Sequence, residues 1–194
     1  MVVTLNLWRM RGNWRLRRAL VLAELRRIDP DVVALQEVAP FRWQARSLAR
    51  ALGGGGRYRA FVARKRGWRG LIEGIGLLTR LDAESYDARP LGGLRVAQRL
   101  AVRTAGKRPV TVFNAHMESG GAASEVRARQ TAALVAAEAG PGTVVAGDFN
   151  ASPGSRRLEP LAAAGFRSAY VAAHGAEPAW TAPAGPPGTA GSTL

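Results

Sequence analysis

Side chains able to bind a metal or a phosphate follow several apolar segments that have the composition of β-strands. Asn6 ends one such run, Glu37 the next, and His116 a third. A fourth run is followed by Asp148 and Asn150. In open α/β sheets, ligands bind outside the carboxyl ends of the strands, so polar groups that are far apart in the sequence can meet in one crevice. A single carboxylate after a strand is usually a solvated turn residue, and the recurrence is what indicates a site.

The types of these residues favour Mg²⁺, with Mn²⁺ as the alternative cation. Glu37, Asp148 and the amide carbonyls offer oxygen ligands, while the chain has no cysteine and His116 is the one histidine near these segments. Hard cations prefer oxygen, and Zn²⁺ prefers nitrogen and sulfur. Hydrolysis of a phosphodiester needs charge neutralised on the non-bridging oxygens, a positioned water and help for the leaving oxygen. These residue types fit that reaction.

Strands and helices alternate in the elements that must position these residues. The runs that predict strands are residues 2–7, 31–38, 58–63, 74–79, 99–103, 110–114 and 143–146. Helical spacing of apolar residues predicts helices at residues 16–28, 41–52, 124–139 and 155–164. A turn rich in glycine and charge at residues 105–109 indicates a hairpin. Strands interleaved with helices and hairpins predict an α/β sandwich with mixed sheets.

The length of 194 residues favours a single domain, which we place at residues 1–180. Residues 181–194 are rich in Pro, Gly and Ala and predict a loose tail. No apolar run approaches the roughly 18 to 20 residues of a membrane-spanning helix. The first residues lead directly into a strand-like run without the features of a signal peptide, so we expect a cytoplasmic protein.

The formal net charge is +14, from 28 basic and 14 acidic residues. A field of this size attracts polyanions such as nucleic acid or anionic lipid. Basic residues cluster at residues 9–18 and 57–69, and the second cluster includes Tyr58, Phe61 and Trp68, a mixture that nucleic-acid grooves use. All but two basic residues are arginine in a chain rich in Ala, Gly and Pro, which also fits GC-rich coding bias. Solvated arginines on loops therefore remain an equal interpretation.

Six segments carry a family resemblance. They are residues 4–7 (TLNL), 29–38 (DPDVVALQEV), 74–80 (GIGLLTR), 112–118 (VFNAHME), 127–130 (RARQ) and 147–150 (GDFN). In their order and spacing the chain resembles the endonuclease/exonuclease/phosphatase superfamily, which has the deoxyribonuclease-I-like fold. The resemblance extends from residue 2 to about residue 180 and implies a four-layer α/β sandwich of two mixed β-sheets flanked by helices.

The resemblance also implies roles for the residues at the strand ends. Glu37 would be the principal metal ligand, with Asn6 and Asp148 beside it. Asp148 and Asn150 would position the attacking water and the phosphate, and His116 would stabilise the pentacovalent transition state. Residues 127–130 match a helical segment that we interpret mainly as structural.

Two segments that the superfamily carries near its C-terminus are absent here. One is a strand with an aspartate and a hydrophobic pair, and the other is a Ser-Asp-His segment. The histidine of that segment ordinarily serves as the base, and acid/base catalysis is worth roughly two to four powers of ten. His174, the other histidine of the chain, matches a variable loop, and we do not expect it to substitute. The missing strands would also leave an open sheet edge that invites self-association of an otherwise monomeric protein.

Two functions follow from these observations. The first is a Mg²⁺-dependent hydrolase of phosphodiesters or phosphomonoesters, with activity in doubt and the chain either an incomplete reading frame or an impaired form. The second is a basic nucleic-acid-binding module on the same fold, whose binding weakens steeply with salt. The fold hosts several phosphate-ester activities, and the arginine content favours nucleic acid weakly over lipid or inositol phosphates.

Overall fold

Two mixed four-stranded sheets organise the part of the chain that the structure describes. The first has the order β1-β2-β4-β3, with β1 at Val2–Asn6, β2 at Val32–Val38, β3 at Arg59–Arg64 and β4 at Gly74–Thr79. The second has the order β5-β6-β7-β8, with β5 at Asp82–Gly92, β6 at Arg95–Arg103, β7 at Pro109–His116 and β8 at Thr143–Asp148. β1 pairs in parallel with β2, and β7 with β8, while the other pairs are antiparallel. The predicted α/β sandwich of mixed sheets is confirmed.

This computed structural model describes residues 1–53, 56–106, 109–120, 124–136, 140–178 and 181. They fall into two compact units. The first unit comprises Met1–His116 and Gly140–Asp148, and the second comprises Met117–Ala139 and Phe149–Leu194. Both sheets belong to the first unit. Apart from residue 181, the predicted tail at 181–194 lies outside the described residues.

The central strand of the first sheet is buried on both faces. On one face, Val33 and Leu35 of β2 pack with Leu25 of α1 (Trp14–Ile28) and Leu48 of α2 (Gln44–Gly53). On the other face, Val32 and Ala34 pack against apolar residues of the second sheet, which include Leu100, Val102 and Val112. Because side chains alternate along a strand, one run of consecutive apolar residues serves both layers. This explains why residues 32–35 of β2 are all apolar.

The ends of α1 follow from local chemistry. Asn13 caps its first turn, with the side-chain oxygen accepting a hydrogen bond from the Leu16 amide at 3.2 Å. Asp29 adopts the left-handed conformation at the other end, and its amide bonds to the Leu25 carbonyl. Pro30 follows at once, so the helix cannot continue. The end of α1 therefore fixes the point at which β2 begins.

The second unit contains three helices within the described residues. These are α3 (Ser124–Ala136), α4 (Glu159–Ala163) and α5 (Ala169–His174), and a 3₁₀ turn at Arg156–Leu158 precedes α4. α3 packs against α4 and this turn. The guanidinium of Arg127 on α3 is buried and donates to the carbonyls of Glu118 and Gly120 at 2.9 and 2.8 Å. The structural interpretation of residues 127–130 fits these contacts.

Three elements differ from the prediction. β5 was not predicted, because this edge strand is largely polar and contains Pro90, features typical of sheet edges. The helix predicted at residues 41–52 begins instead as a 3₁₀ turn, Pro40–Arg42, which ends at Trp43 in the left-handed conformation before α2 starts. α5 is a short capped helix in a segment where the apolar pattern was fading.

Candidate active site

The two parallel strand pairs bring the predicted residues to the carboxyl ends of four strands. In the first sheet Asn6 pairs in register with Gln36, the residue before Glu37. In the second sheet His116 pairs in register with Asp148. Strands that run in the same direction end at the same edge of a sheet. The amide nitrogen of Asn6 joins the two sheets by donating to Asp148 Oδ2 at 2.8 Å.

Six side chains of the first unit form a closed ring of polar contacts at this edge. Asn6 Nδ2 lies 2.8 Å from Asp148 and 3.4 Å from Glu37 Oε1. Arg9 lies 3.5 Å from Glu37 and 3.7 Å from Glu73. His116 closes the ring, with Nδ1 3.8 Å from Glu73 and Nε2 3.9 Å from Asp148. The structure therefore brings together Asn6, Glu37, His116 and Asp148, four of the five predicted residues.

Glu37 stands in an unusual backbone conformation. Its φ is +47°, in the left-handed region that non-glycine residues seldom adopt. The pairing of β2 with β4 also shifts between Leu35 and Val38, so the ladder is irregular where Glu37 lies. Such local strain costs of order 1 to 3 kcal/mol and concentrates at functional sites. Here it turns one residue of a buried strand toward the polar ring.

Gly147 fixes the place of Asp148. Its φ is +146°, and a Cβ built on it would lie 2.0 Å from the carbonyl oxygen of Ala115 on β7. No other residue type fits this approach without moving a strand. Glycine therefore lets β8 lie against β7 in the register that sets Asp148 beside His116.

The imidazole of His116 is held neutral. Its side chain is only 6% exposed. Burial, followed by the nearby charge of Arg95, lowers the pKa of His116 to about 4, and the carboxylates of Asp148 and Glu73 only partly oppose this. Nδ1 has no hydrogen-bond partner among the described residues, because Glu73 at 3.8 Å is too distant. A neutral imidazole with one ring nitrogen unengaged can donate or accept a proton at a phosphate ester.

Glu73 connects the histidine to two cations. Burial raises the pKa of its carboxyl, but the hydrogen bond and charge of Lys65, with smaller contributions from His116 and Arg9, hold that pKa below its usual value. Lys65 Nζ contacts Glu73 directly, and both side chains are largely buried. The Glu73 carboxylate therefore remains ionised and places a negative charge beside His116.

The sequence pattern does not mark Arg9, Lys65 or Glu73 as site residues. Arg9 and Lys65 lay within the two basic clusters, where solvation was the competing interpretation. Glu73 directly precedes β4, all of whose residues are buried, and a carboxylate at the start of such a strand is the signal that could have found it. The predicted site residues all follow apolar runs, whereas Glu73 precedes one.

The fifth predicted residue, Asn150, lies in the second unit. Its φ is +49°, and its side-chain nitrogen donates to the carbonyl of Met117 at 3.0 Å. This bond ties the second residue after β8 to the residue that follows β7. The role of Asn150 in positioning water and phosphate stays a prediction. His174 is exposed at the end of α5 and stacks on Tyr170, with ring centroids 4.3 Å apart.

The aromatic residues of the basic cluster at 57–69 do not share one surface. Tyr58 is buried, and its hydroxyl donates to the carbonyl of Pro30. Phe61 packs on Tyr86 with ring centroids 4.8 Å apart. Of the three aromatic residues in this cluster, Trp68 alone is largely exposed. The predicted stacking surface is therefore wrong for Tyr58 and Phe61, because strand alternation turns their rings into the protein.

The donor set suits a hard divalent cation. The carboxylates of Glu37 and Asp148 both accept from the amide nitrogen of Asn6, at 3.4 and 2.8 Å. Within the described ranges, no three His, Cys, Asp or Glu side chains lie close enough together to hold a metal. Mg²⁺ commonly uses one or two carboxylates and takes its other ligands from water and substrate phosphate. Glu37 and Asp148 fit that pattern, whereas the side-chain oxygen of Asn6 accepts from the Trp8 amide at 2.9 Å and would have to turn to reach the same ion.

Comparisons with known proteins give a family match over most of the chain. Residues 3–194 match the model of the Endonuclease/Exonuclease/phosphatase family. No curated protein sequence matches the chain. No helix in the described part of the chain has the length and apolar character needed to cross a bilayer.

Several solved structures share the fold at low sequence identity. The catalytic domain of human Nocturnin is 22% identical with a TM-score of 0.74, and the match covers 87% of this chain and 70% of that one. A mannosyl-6-phosphatase from Bacteroides thetaiotaomicron is 18% identical with a TM-score of 0.69, covering 84% and 69%. ANGEL2, a 2′,3′-cyclic phosphatase, is 23% identical with a TM-score of 0.63 and covers 76% of this chain. The match spans only 47% of the ANGEL2 chain.

Proposed function

Because the chain belongs to the endonuclease/exonuclease/phosphatase family, we propose that it is a Mg²⁺-dependent hydrolase of phosphodiester or phosphomonoester bonds. Members of this family hydrolyse phosphoester bonds. The observation that carries the proposal is the closed ring formed by Asn6, Arg9, Glu37, Glu73, His116 and Asp148 at the ends of four strands. Mn²⁺ is the alternative cation.

Three residues would hold the cation: Glu37 as the principal ligand, with Asp148 and the Asn6 amide beside it. When bound, the ion would withdraw charge from the non-bridging phosphate oxygens and lower the cost of attack by water. Arg9 is half-buried and contacts Glu37 at 3.5 Å. A cation bound to Glu37 would replace this contact, and the Arg9 guanidinium would be free to bind the phosphate, for which its planar donors are well suited.

His116 and Glu73 would act on the transition state. Attack forms a bond from the water oxygen to phosphorus, breaks the ester P–O bond and leaves negative charge on the oxygens. A neutral His116 would donate a hydrogen bond, without giving up its proton, to a phosphate oxygen that gains charge. The proton of the attacking water would pass to the leaving oxygen, and the ionised Glu73 would stabilise an imidazolium where His116 accepts that proton on its way. Asp148 and Asn150 would orient the water.

The test is hydrolysis of a generic diester, bis(p-nitrophenyl) phosphate, by the full chain with Mg²⁺ or with EDTA. Glu37→Gln keeps the shape of the side chain and removes its charge, so the Mg²⁺-dependent rate should fall by at least about 100-fold. The matched control is Glu24→Gln, an exposed carboxylate on α1 that pairs with Arg27. It should retain the wild-type rate. Equal rates for wild type and Glu37→Gln, or no Mg²⁺-dependent rate in either, would reject the hydrolase.

Nuclease and phosphatase activities differ in the substrate, and the two neighbours above whose names state an activity are phosphatases. The solved structures named above are under 25% identical, so the choice among substrates depends on this chain's own surface. A nucleic-acid-binding role without turnover is the alternative, and it would appear as oligonucleotide affinity in a chain that fails the diester assay. The cytoplasmic location stays a prediction.

A further inference from the structure

Three aromatic side chains stand in solvent on two adjacent turns of the first unit. Trp68 is 69% exposed, Trp43 is 59% exposed and Phe41 is 51% exposed. Phe41 and Trp43 belong to the turn after β2, and Trp68 belongs to the 3₁₀ turn Trp68–Leu71 between β3 and β4. The two turns contact each other. We refer to Phe41, Arg42, Trp43, Arg46, Trp68 and Arg69 as the aromatic–arginine surface.

Each exposed ring of this surface has a guanidinium over it. Arg46 lies 4.5 Å from the centroid of Trp43. The corresponding distances are 5.0 Å for Arg42 over Phe41 and 5.6 Å for Arg69 over Trp68. An exposed cation–π contact contributes only about 0.5 to 1 kcal/mol, which does not account for leaving large aromatic rings in water. The repeated pairing of ring and cation is the composition of a surface that stacks bases and neutralises phosphates.

Trp43 projects from a strained backbone. Its φ is +55°, which is a rare conformation for a bulky residue. The buried Gln44 holds the turn in place by accepting from the Ala39 amide and donating to the Arg9 carbonyl, both at 2.9 Å. Arg9 is itself a member of the polar ring. Gln44, the residue after Trp43, is therefore held by the backbone of Arg9, and the side chain of Arg9 contacts Glu37.

Two pockets share Trp43 as a wall. One has a volume of about 180 Å³ and includes Phe41, Arg46 and Arg64 in its lining. The other has a volume of about 350 Å³ and is lined by Arg18, Trp43, Ser47, Arg50 and Ala51. Each pocket contains two arginines, and among the described residues neither has an acidic side chain in its lining. A planar indole between two basic pockets offers room for a base and for the phosphates that flank it.

The surface lies next to the candidate active site along the chain. The turn at Pro40–Arg42 begins three residues after Glu37, and the turn at Trp68–Leu71 ends two residues before Glu73. The two turns of the surface are thus close in sequence to two members of the polar ring, Glu37 and Glu73.

We propose that the aromatic–arginine surface binds single-stranded nucleic acid, with bases stacked on Trp43, Phe41 and Trp68 and phosphates on the surrounding arginines. The inference rests on the proposed function, because it names the substrate class of that site. Bases inside a duplex are already stacked on each other, so exposed rings select an unpaired strand. A lipid surface is disfavoured because a charged guanidinium lies within 5.6 Å of each ring centroid and the space beside Trp43 is lined by arginines. Leu71 and Ile72 are exposed nearby and make lipid the competitor to test.

The test is fluorescence anisotropy of a labelled oligothymidine of about 12 nucleotides, titrated with the full chain in EDTA. Trp43→Ala and Trp68→Ala should each weaken binding about tenfold, since stacking of one base contributes that order of affinity. Trp43→Phe should restore most of the loss. The matched control is Tyr170→Ala, an exposed aromatic residue of the second unit, which should bind as the wild type does. Unchanged melting temperatures show that the variants are folded.

Three further ligands distinguish the possible outcomes. An abasic strand of the same length carries the same phosphates without bases and should bind about tenfold more weakly than oligothymidine. The duplex of oligothymidine with an equal length of oligodeoxyadenosine should also bind more weakly. Equal affinity for abasic and normal strands would overturn the inference, because arginines alone would explain binding. Loss of binding to vesicles of equal parts phosphatidylcholine and phosphatidylserine in the tryptophan variants, with oligothymidine affinity unchanged, would overturn it in favour of lipid.

Because these titrations contain no Mg²⁺, they are independent of turnover. Oligothymidine affinity that depends on Trp43 in a chain without diester hydrolysis would sustain the inference and reject the hydrolase. Hydrolysis that requires Glu37, combined with oligothymidine binding that ignores both tryptophans, would do the reverse.

Discussion

Two polar clusters lie between the sheets of the first unit, and they differ in how completely their groups are paired. One is an amide network in the interior, in which Asn114 donates to the carbonyls of Leu35 and Gly76 and to Gln98 Oε1, at 3.0 to 3.1 Å. Its Oδ1 accepts from Gln36 at 2.8 Å. The other is the charged ring at the strand ends, where the contacts of His116 are 3.8 Å or longer and Nδ1 has no partner in the described part of the chain.

The difference separates a structural cluster from a chemical one. In the interior network every contact joins neutral groups at hydrogen-bond distance, which satisfies buried polar atoms and fixes how the two sheets face each other. The ring collects three carboxylates and one cation, Arg9, and Lys65 contacts its Glu73 from outside. His116 lacks a short hydrogen bond and the Glu37 backbone is strained. Incomplete pairing in a buried site leaves capacity for a ligand. Substitutions in the first cluster should therefore alter stability, and those in the second should alter activity.

The largest effect is expected for His116→Gln. The change removes the imidazole from the transition state, so diester hydrolysis should fall by roughly two to four powers of ten. The free energy of unfolding should change little, because His116 makes no short hydrogen bond in the described structure. Steady-state kinetics with Mg²⁺ and urea denaturation give the two quantities. His174→Gln, at the exposed histidine of α5, should keep the wild-type rate, and an equal fall in both variants would contradict the assignment.

A smaller effect is expected for Asn114→Leu, which should lower the free energy of unfolding. The substitution keeps the branching of the side chain but removes the donor to Gln98 Oε1 and to the carbonyls of Leu35 and Gly76, while Gln36 keeps Thr4 and the Ala34 carbonyl as partners. Unfolding free energy should drop by about 3 kcal/mol or more, measured by urea denaturation. The control is Thr111→Val, a half-buried position on the same strand, for which the change should stay within about 0.5 kcal/mol. Loss of less than about 1 kcal/mol in Asn114→Leu would show that the network is dispensable.

The mildest change, Gly147→Ala, should affect both quantities. The new Cβ would meet the Ala115 carbonyl, so β8 must move from β7 and carry Asp148 with it. We expect about 2 kcal/mol lower unfolding free energy together with a measurable loss of diester hydrolysis. Gly140→Ala is the control, because nothing lies within 4 Å of its added Cβ and its φ is not in the left-handed region. A Gly147→Ala protein of wild-type stability and rate would show that the close approach of β7 and β8 does not position the site.

The sequence allowed the prediction of those site residues that lie at the ends of strands. Asn6, Glu37, His116 and Asp148 each follow an apolar run, and parallel pairing makes such ends meet. Glu73 could not be found in that way, because it precedes its strand and reaches the ring only through a turn between β3 and β4. Arg9 and Lys65 were hidden among many other basic residues, and only their distances to Glu37 and Glu73 set them apart.

Similar reasons explain which elements were predicted. β2 begins with four apolar residues and β4 is apolar up to Thr79, and residues 74–79 were predicted with the observed bounds. β5 has the polar composition of an edge, which a hydrophobic pattern does not detect. The left-handed Trp43 divided a segment of helical spacing into a turn and α2, because Gln44 bonds back to the backbone of Ala39. Local patterns carry no information about such a side-chain contact.

The bond between Asn6 and Asp148 joins residues 142 positions apart. Contacts of such long sequence separation form late in folding, since a large loop must first be closed. During synthesis the other members of the ring, Asn6, Arg9, Glu37, Glu73 and His116, leave the ribosome before its final carboxylate, Asp148. Catalytic competence would then appear in one step when β8 docks on β7, and hydrolysis could serve as a sensitive clock for that docking.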